Sequence, residues 1–147
     1  MDQKAPFPIF PMHFRGLLLL AGMYTIAWSA FFKWFGPTLV NWLSMGQGDF
    51  EGLSASYYGT FGLLVGLVIF VSAFYPVSWI YLIGAGIVGK IILALWFAVG
   101  FLPDLGWNKR TGFHMIFNEL IWLIPMITIL IRADQVKKYL IKTEAQS

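Results

Sequence analysis

The sequence predicts an all-α integral membrane protein, an antiparallel four-helix bundle running up-down-up-down. Three observations carry this expectation. Only 12% of the 147 residues are charged, whereas a soluble domain carries about 25%. Mean hydropathy is +0.72, set by long runs almost free of charge. The runs are separated by short connections containing proline and glycine, which set neighbouring helices side by side in opposite directions. A single transmembrane domain, residues 1–147, takes up the whole length and leaves no room for a separate soluble one.

The four helices are drawn at about 15–35, 57–74, 77–102 and 112–131. At 1.5 Å per residue they cover roughly 27–39 Å, enough for a hydrocarbon core of about 30 Å. The first ends at Gly36–Pro37. It exceeds the roughly 7–15 apolar residues of a signal-peptide core and is read as a retained helix. The connection 38–56 is the long one. Leu39, Val40, Trp42 and Leu43, followed by Met45, Gly46, Gln47 and Gly48, predict a short interfacial helix and then a turn capping one mouth of the bundle. Tyr75–Pro76 makes a tight turn into the third helix. Pro103–Asp104 ends that helix, and Gly106 and Asn108 lead round to the fourth. After residue 131 comes a cytoplasmic tail, 132–147. Its Val136, Tyr139 and Leu140 beside Lys137 and Lys138 fit either an amphipathic surface helix or an exposed continuation of the fourth span.

Charge gives the orientation. The net charge is +3, but the basic residues gather next to apolar segments, where a lipid surface explains them and nucleic acid does not. Lys4, Arg15, Arg132, Lys137, Lys138 and Lys142 fall on one side. Lys109 and Arg110 fall on the other, with Lys33 near that end of the first helix. The richer side is expected to be cytoplasmic, so both termini lie inside. Asp49 and Glu51 then lie outside. Trp34, Trp42, Tyr57, Tyr58 and Trp107 form an outer aromatic belt, and Phe14, Tyr75 and Trp79 an inner one.

Within these helices a few residues break the apolar rule. Lys90 lies about 13 residues along the third helix and Glu119 about seven residues into the returning fourth, so both reach similar depth. A charge near the bilayer centre costs roughly 2.5–3.5 kcal/mol, and such residues pair with one another. An ion pair between them is expected. Asn118 adds a donor and acceptor beside it, and His114 lies one turn earlier on the Asn118 face. The group reads either as a polar staple between helices or as a site for a proton or ligand. Trp122, deeper than a belt residue, joins the candidate site because a buried indole N–H seeks a partner. Pro125 frees a backbone carbonyl near Ile121 and kinks the helix.

Small residues mark where backbones approach. Gly62 and Gly66 form a GxxxG on the second helix, and Ala85 and Gly89 a small-xxx-small pair on the third. Ala21, Thr25, Ser29 and Lys33 follow at four-residue spacing on the first, a stripe facing the interior.

Several chemistries are set aside. The chain has no cysteine, which removes thiolate and iron–sulfur chemistry. Its two histidines, His13 and His114, fall near opposite membrane faces, so neither haem ligation nor a multi-histidine metal site is expected. No phosphate loop or nucleophile–His–Asp set appears.

Gly22, Tyr24 and Trp28, then Gly89–Lys90, then the run N-E-x-I-W-x-x-P of Asn118, Glu119, Ile121, Trp122 and Pro125 resemble small bacterial four-helix inner-membrane proteins of uncharacterised function. In architecture the chain is similar to DoxX-like proteins, some of which are associated with quinone-linked oxidoreductases. The resemblance implies a bacterial inner membrane and no established reaction. Three functions are carried forward. The first is a non-enzymatic accessory or small-molecule-binding protein, working with other membrane subunits or as a homo-oligomer. The others are a proton-coupled transporter exchanging at Glu119, and a membrane subunit of a quinone-linked enzyme, quinone being the one candidate cofactor.

Overall fold

The structure, a computed structural model, describes residues 9–46 and 55–146, and among these every regular element is helical. Helix α1 spans Met12–Trp34, α2 Gly36–Leu43, α3 Ala55–Ser72 and α4 Ile80–Gly100. A single turn, α5 (Leu102–Leu105), leads to α6 (Lys109–Phe113), a π-helical segment (His114–Leu120) and α7 (Ile121–Gln146). The last three run on as one 38-residue helix, so four helices are long and apolar enough to cross a membrane. Lys4, Pro6, Pro8, Asp49, Glu51 and the Gln47–Gly48 turn lie outside the described residues.

Boundaries move from the expected ones for identifiable reasons. Helix α1 starts at Met12 because the Pro11 carbonyl already accepts the Phe14 N–H at 3.1 Å. Gly36–Pro37 does not simply end it. Proline suits the first turn of a helix, where its missing N–H has no partner to lose, and here it opens α2. That short helix begins two residues before the connection expected to carry one and ends within it. Helix α4 starts at Ile80 instead of 77, because residues 73–79 are used in the turn, where the Trp79 N–H reaches the Tyr75 carbonyl at 2.8 Å. It stops at Gly100, and Pro103–Asp104 sit inside α5.

The fourth helix begins at Lys109, not 112, because Asn108 caps it. Its side-chain oxygen accepts the Arg110 and Thr111 N–H groups at 2.8 and 3.0 Å, and Thr111 Oγ1 returns the bond by accepting the Asn108 N–H at 2.9 Å. This reciprocal capping box satisfies donors that the first turn would leave orphaned. At the other end the helix passes through residue 131 without a break and continues to Gln146.

The helices meet through their small residues. Helix α1 packs most extensively on α3, α3 on α4, and α4 on the π segment and α7. A Cβ on Gly62 would strike Ser29, and one on Gly66 would lie 2.9 Å from the Ile26 backbone nitrogen. The GxxxG face therefore seats α1 against α3, and Gly22 completes it opposite Phe70. Ala21, Thr25 and Ser29 are buried in the same seam, while Lys33 donates to Thr60 Oγ1 at 2.7 Å. On α4 the pattern is shifted by one residue. Ala85 faces outward, and Gly86 with Gly89 makes the approach to α3, where added Cβ atoms would fall 2.6 Å from Ile69 and Val65.

Polar contacts tie the two ends. At one, Asn108 Nδ2 and Arg110 donate to the Leu43 and Trp42 carbonyls at 2.8 and 2.7 Å, capping α2, and the guanidinium lies over the Trp42 ring. At the other, Arg15 donates to the Phe74 carbonyl at 3.3 Å and Arg132 to the Ile9 carbonyl at 2.9 Å. Lys137 lies 4.8 Å above the Tyr81 ring.

Candidate functional site

The buried polar residues converge between α1, α3, α4 and the π segment. Lys90 is 1% exposed, and its Nζ lies 3.5 Å from Glu119 Oε2. The ammonium also donates to the backbone carbonyl of Asn118 at 2.7 Å. Two residues 29 apart in sequence thus form one ionic contact inside the bundle. Buried charges are tolerated in such surroundings only when paired and hydrogen-bonded.

The π segment makes this arrangement. In an α-helix five residues turn about 500°, which would set Glu119 about 140° from His114. A π turn closes i→i+5 hydrogen bonds and brings such residues nearly into line. The Ile121 N–H bonds the Ile116 carbonyl in this way, and His114, Asn118 and Glu119 are all buried on one side. Proline at 125, inside α7, lies one turn beyond.

The hydrogen bonds run in one direction. Tyr24 donates its hydroxyl to Asn118 Oδ1, which fixes the Asn118 amide so that Nδ2 faces His114 Nδ1 at 2.9 Å. An Nδ1 that accepts leaves the proton on Nε2. That nitrogen lies 3.0 Å from the Tyr58 hydroxyl, which in turn donates to Glu119 Oε1 at 3.4 Å. The chain of donors Tyr24–Asn118–His114–Tyr58 therefore ends on the carboxylate that Lys90 faces. Each bond in such a chain polarises the next.

Aromatic rings wall the cluster. Phe97 and Phe32 lie 4.4 and 5.1 Å from the His114 ring, and Tyr58 packs on Phe32 and Phe101 at 4.7 and 5.2 Å. What remains is a cavity of about 10 Å³, bordered by Tyr24, Thr25, Ser29, Tyr58, Lys90 and Glu119 among others. That is about the space of one water molecule. Two buried oxygens on its border, Thr25 Oγ1 and Glu119 Oε2, have no hydrogen-bond partner.

Of the residues singled out from sequence, Lys90, Asn118, Glu119 and His114 are brought together. Trp122 is not. It is half-buried, packs at a tilt against Tyr24 with ring centroids 5.5 Å apart, and its Nε1 is buried without a partner. Tyr58, expected in the outer belt, is instead 2% exposed and central to the cluster, while Tyr57 is 73% exposed. One signal could have separated these two tyrosines: Tyr58 falls four residues before Gly62, on the face that α3 turns inward. Thr25 and Ser29 were legible only as part of a stripe, and Tyr24 only among the residues that carry the resemblance. Among the described residues no three His, Asp or Glu side chains gather as a metal site.

No protein-family model, curated protein or solved structure matches the chain.

Proposed function

We propose that this chain is a bacterial inner-membrane protein, an antiparallel up-down-up-down bundle with cytoplasmic termini, whose buried cluster binds and releases a proton at Glu119. The end contacts support the topology. Arg15 of α1 meets the end of α3, whereas Lys33 at the far end of α1 meets the start of α3. The distribution of basic residues supports the orientation, with Arg15, Arg132, Lys137, Lys138 and Lys142 toward the cytoplasm against Lys33, Lys109 and Arg110 outside. The final helix, about 57 Å long by its rise, outlasts the bilayer, and residues past Arg132 project from the inner surface.

The observation that carries the proton reading is the size of the cavity beside the charged pair. Pockets for organic ligands measure roughly 300–1,000 Å³, and about 10 Å³ is available here. A quinone or drug-like substrate would require the helices to part. A proton requires nothing to move. Placed on Glu119, it cancels the attraction of Lys90 and weakens the contact between α4 and the π segment. The protein is then an accessory or coupling subunit whose packing responds to protonation, and not an enzyme. A proton-coupled transporter caught closed is the second reading. It is favoured by the π segment, since such wide turns recur at functional sites and allow a helix to change register.

The test is proton stoichiometry. In weakly buffered detergent solution, a pH-indicator dye is expected to report one buried group that takes up a proton in the unmodified chain and is lost in Glu119→Gln. Identical titrations of the two proteins would remove the proposal. Saturable binding of an organic substrate, dependent on Glu119, would favour the transporter.

A further inference from the structure

One feature of the cluster is not accounted for by the pairing of Lys90 with Glu119. Thr25 Oγ1 on α1 is buried without a partner, Glu119 Oε2 on the π segment is buried with the Lys90 ammonium 3.5 Å away but accepts no hydrogen bond, and both residues border the same small cavity. A buried oxygen without a partner costs roughly 1–3 kcal/mol. A cavity holds a water when it offers about 10–15 Å³ and two to four polar partners. This one meets the size limit, and Thr25, Ser29, Lys90 and Glu119 supply polar groups around it.

We propose that the cavity is a binding site for one water molecule, which bridges Thr25 Oγ1 to Glu119 Oε2 and gives Glu119 its route for proton exchange along α1. The inference rests on the proton reading of Glu119 for its functional part, whereas the water site stands on the cavity and the two oxygens alone. The groups facing Glu119 explain why the route leaves by α1. Lys90 on α4 fills one side, and Tyr58 on α3 and His114 on the π segment hold Oε1. Among the described residues, only the α1 side presents an uncommitted hydroxyl. Beyond Thr25, Ser29 and then Lys33 follow at four-residue spacing, and Lys33 is bonded to Thr60 at the end of the helix.

The transfer balances as a chain of hops. The water gives one proton to Oε2, forming the carboxyl O–H, and takes one from the Thr25 hydroxyl, which is replenished from the Ser29 side. The water, Thr25 and Ser29 oxygens each break one O–H bond and make another, and Oε2 makes one. The proton entering at the Ser29 end comes from solvent, so the net change is one proton gained by Glu119. Thr25 both holds the water and relays the proton, since its hydroxyl loses one proton to the water and regains one.

Infrared difference spectroscopy of the full chain in detergent tests this. The unmodified protein is expected to show an isolated O–H stretching band that moves when ordinary water is replaced by heavy-oxygen water. Thr25→Val, which keeps the shape and removes the hydroxyl, should abolish that band, and Thr25→Ser should retain it. Hydrogen–deuterium exchange at the Glu119 carboxyl, assigned by its loss in Glu119→Gln, should slow about tenfold or more in Thr25→Val. Absence of the isotope-sensitive band from the unmodified protein would overturn the water site, and needs no variant that folds. Persistence of the band in Thr25→Val would overturn the part given to Thr25. If the band is present and depends on Thr25 while the Glu119 carboxyl never takes a proton, the water site holds. The proton reading then fails by itself.

Discussion

The seam between α1 and α3 and the contact between α4 and the π segment hold the same bundle together by opposite means. The first relies on absence of side chains. Gly22, Gly59, Gly62 and Gly66 let two backbones approach until a single added Cβ would overlap the neighbour. The second relies on charge and hydrogen bonding through Lys90, Glu119, Tyr58 and His114. A dry seam of glycines has one arrangement and responds to nothing in solution. A polar contact whose strength depends on one proton can have two, which is why the proton site proposed above falls in the second region.

Four substitutions and one control bear on this contrast, from the largest expected effect to the smallest. Lys90→Leu leaves the Glu119 carboxylate buried without its cation and is expected to cost about 3–5 kcal/mol, measured by reversible unfolding in mixed detergent. Gly66→Ala drives a methyl into Ile26 and the Gly22 carbonyl, for a loss of about 1–3 kcal/mol. Gly84→Ala is its control. Its Cβ meets nothing within 4 Å, and a gain of up to about 1 kcal/mol is expected from helix propensity. If the two glycine variants behave alike, the seam is not set by close approach. Tyr58→Phe removes the hydroxyl shared by His114 and Glu119 and should cost about 1–3 kcal/mol, with a smaller loss again for Arg110→Ala, about 0.5–1 kcal/mol for the ring contact. Arg110→Ala should leave proton uptake intact, and Tyr58→Phe should alter it.

The two regions also differed in how far the sequence revealed them. The four spans follow from the length of uncharged chain, and the pairing of Lys90 with Glu119 follows from depth on successive helices. Rotation about the helix axis was harder. Small residues at 85, 86 and 89 leave the facing pair undecided, and packing chose Gly86 with Gly89. Adjacent tyrosines at 57 and 58 point apart, and the spacing of Tyr58 to Gly62 was the one sign of which is buried. The π turn was invisible because no residue type demands it. With ordinary α spacing, His114 and Glu119 would look away from each other, and the cluster would be missed in part. Helix ends shifted for local reasons, such as the Asn108 capping box and Pro37 opening α2.

The measurement that reaches the central claim most directly is a double-substitution cycle on Lys90 and Glu119. The account holds that the two form one unit inside the bundle. Each single change to Leu should therefore destabilise strongly, and the double change should recover most of the loss, with a coupling of about 2 kcal/mol or more. Losses that simply add would contradict it, and would mean that the amine and the carboxylate do not meet in the folded protein.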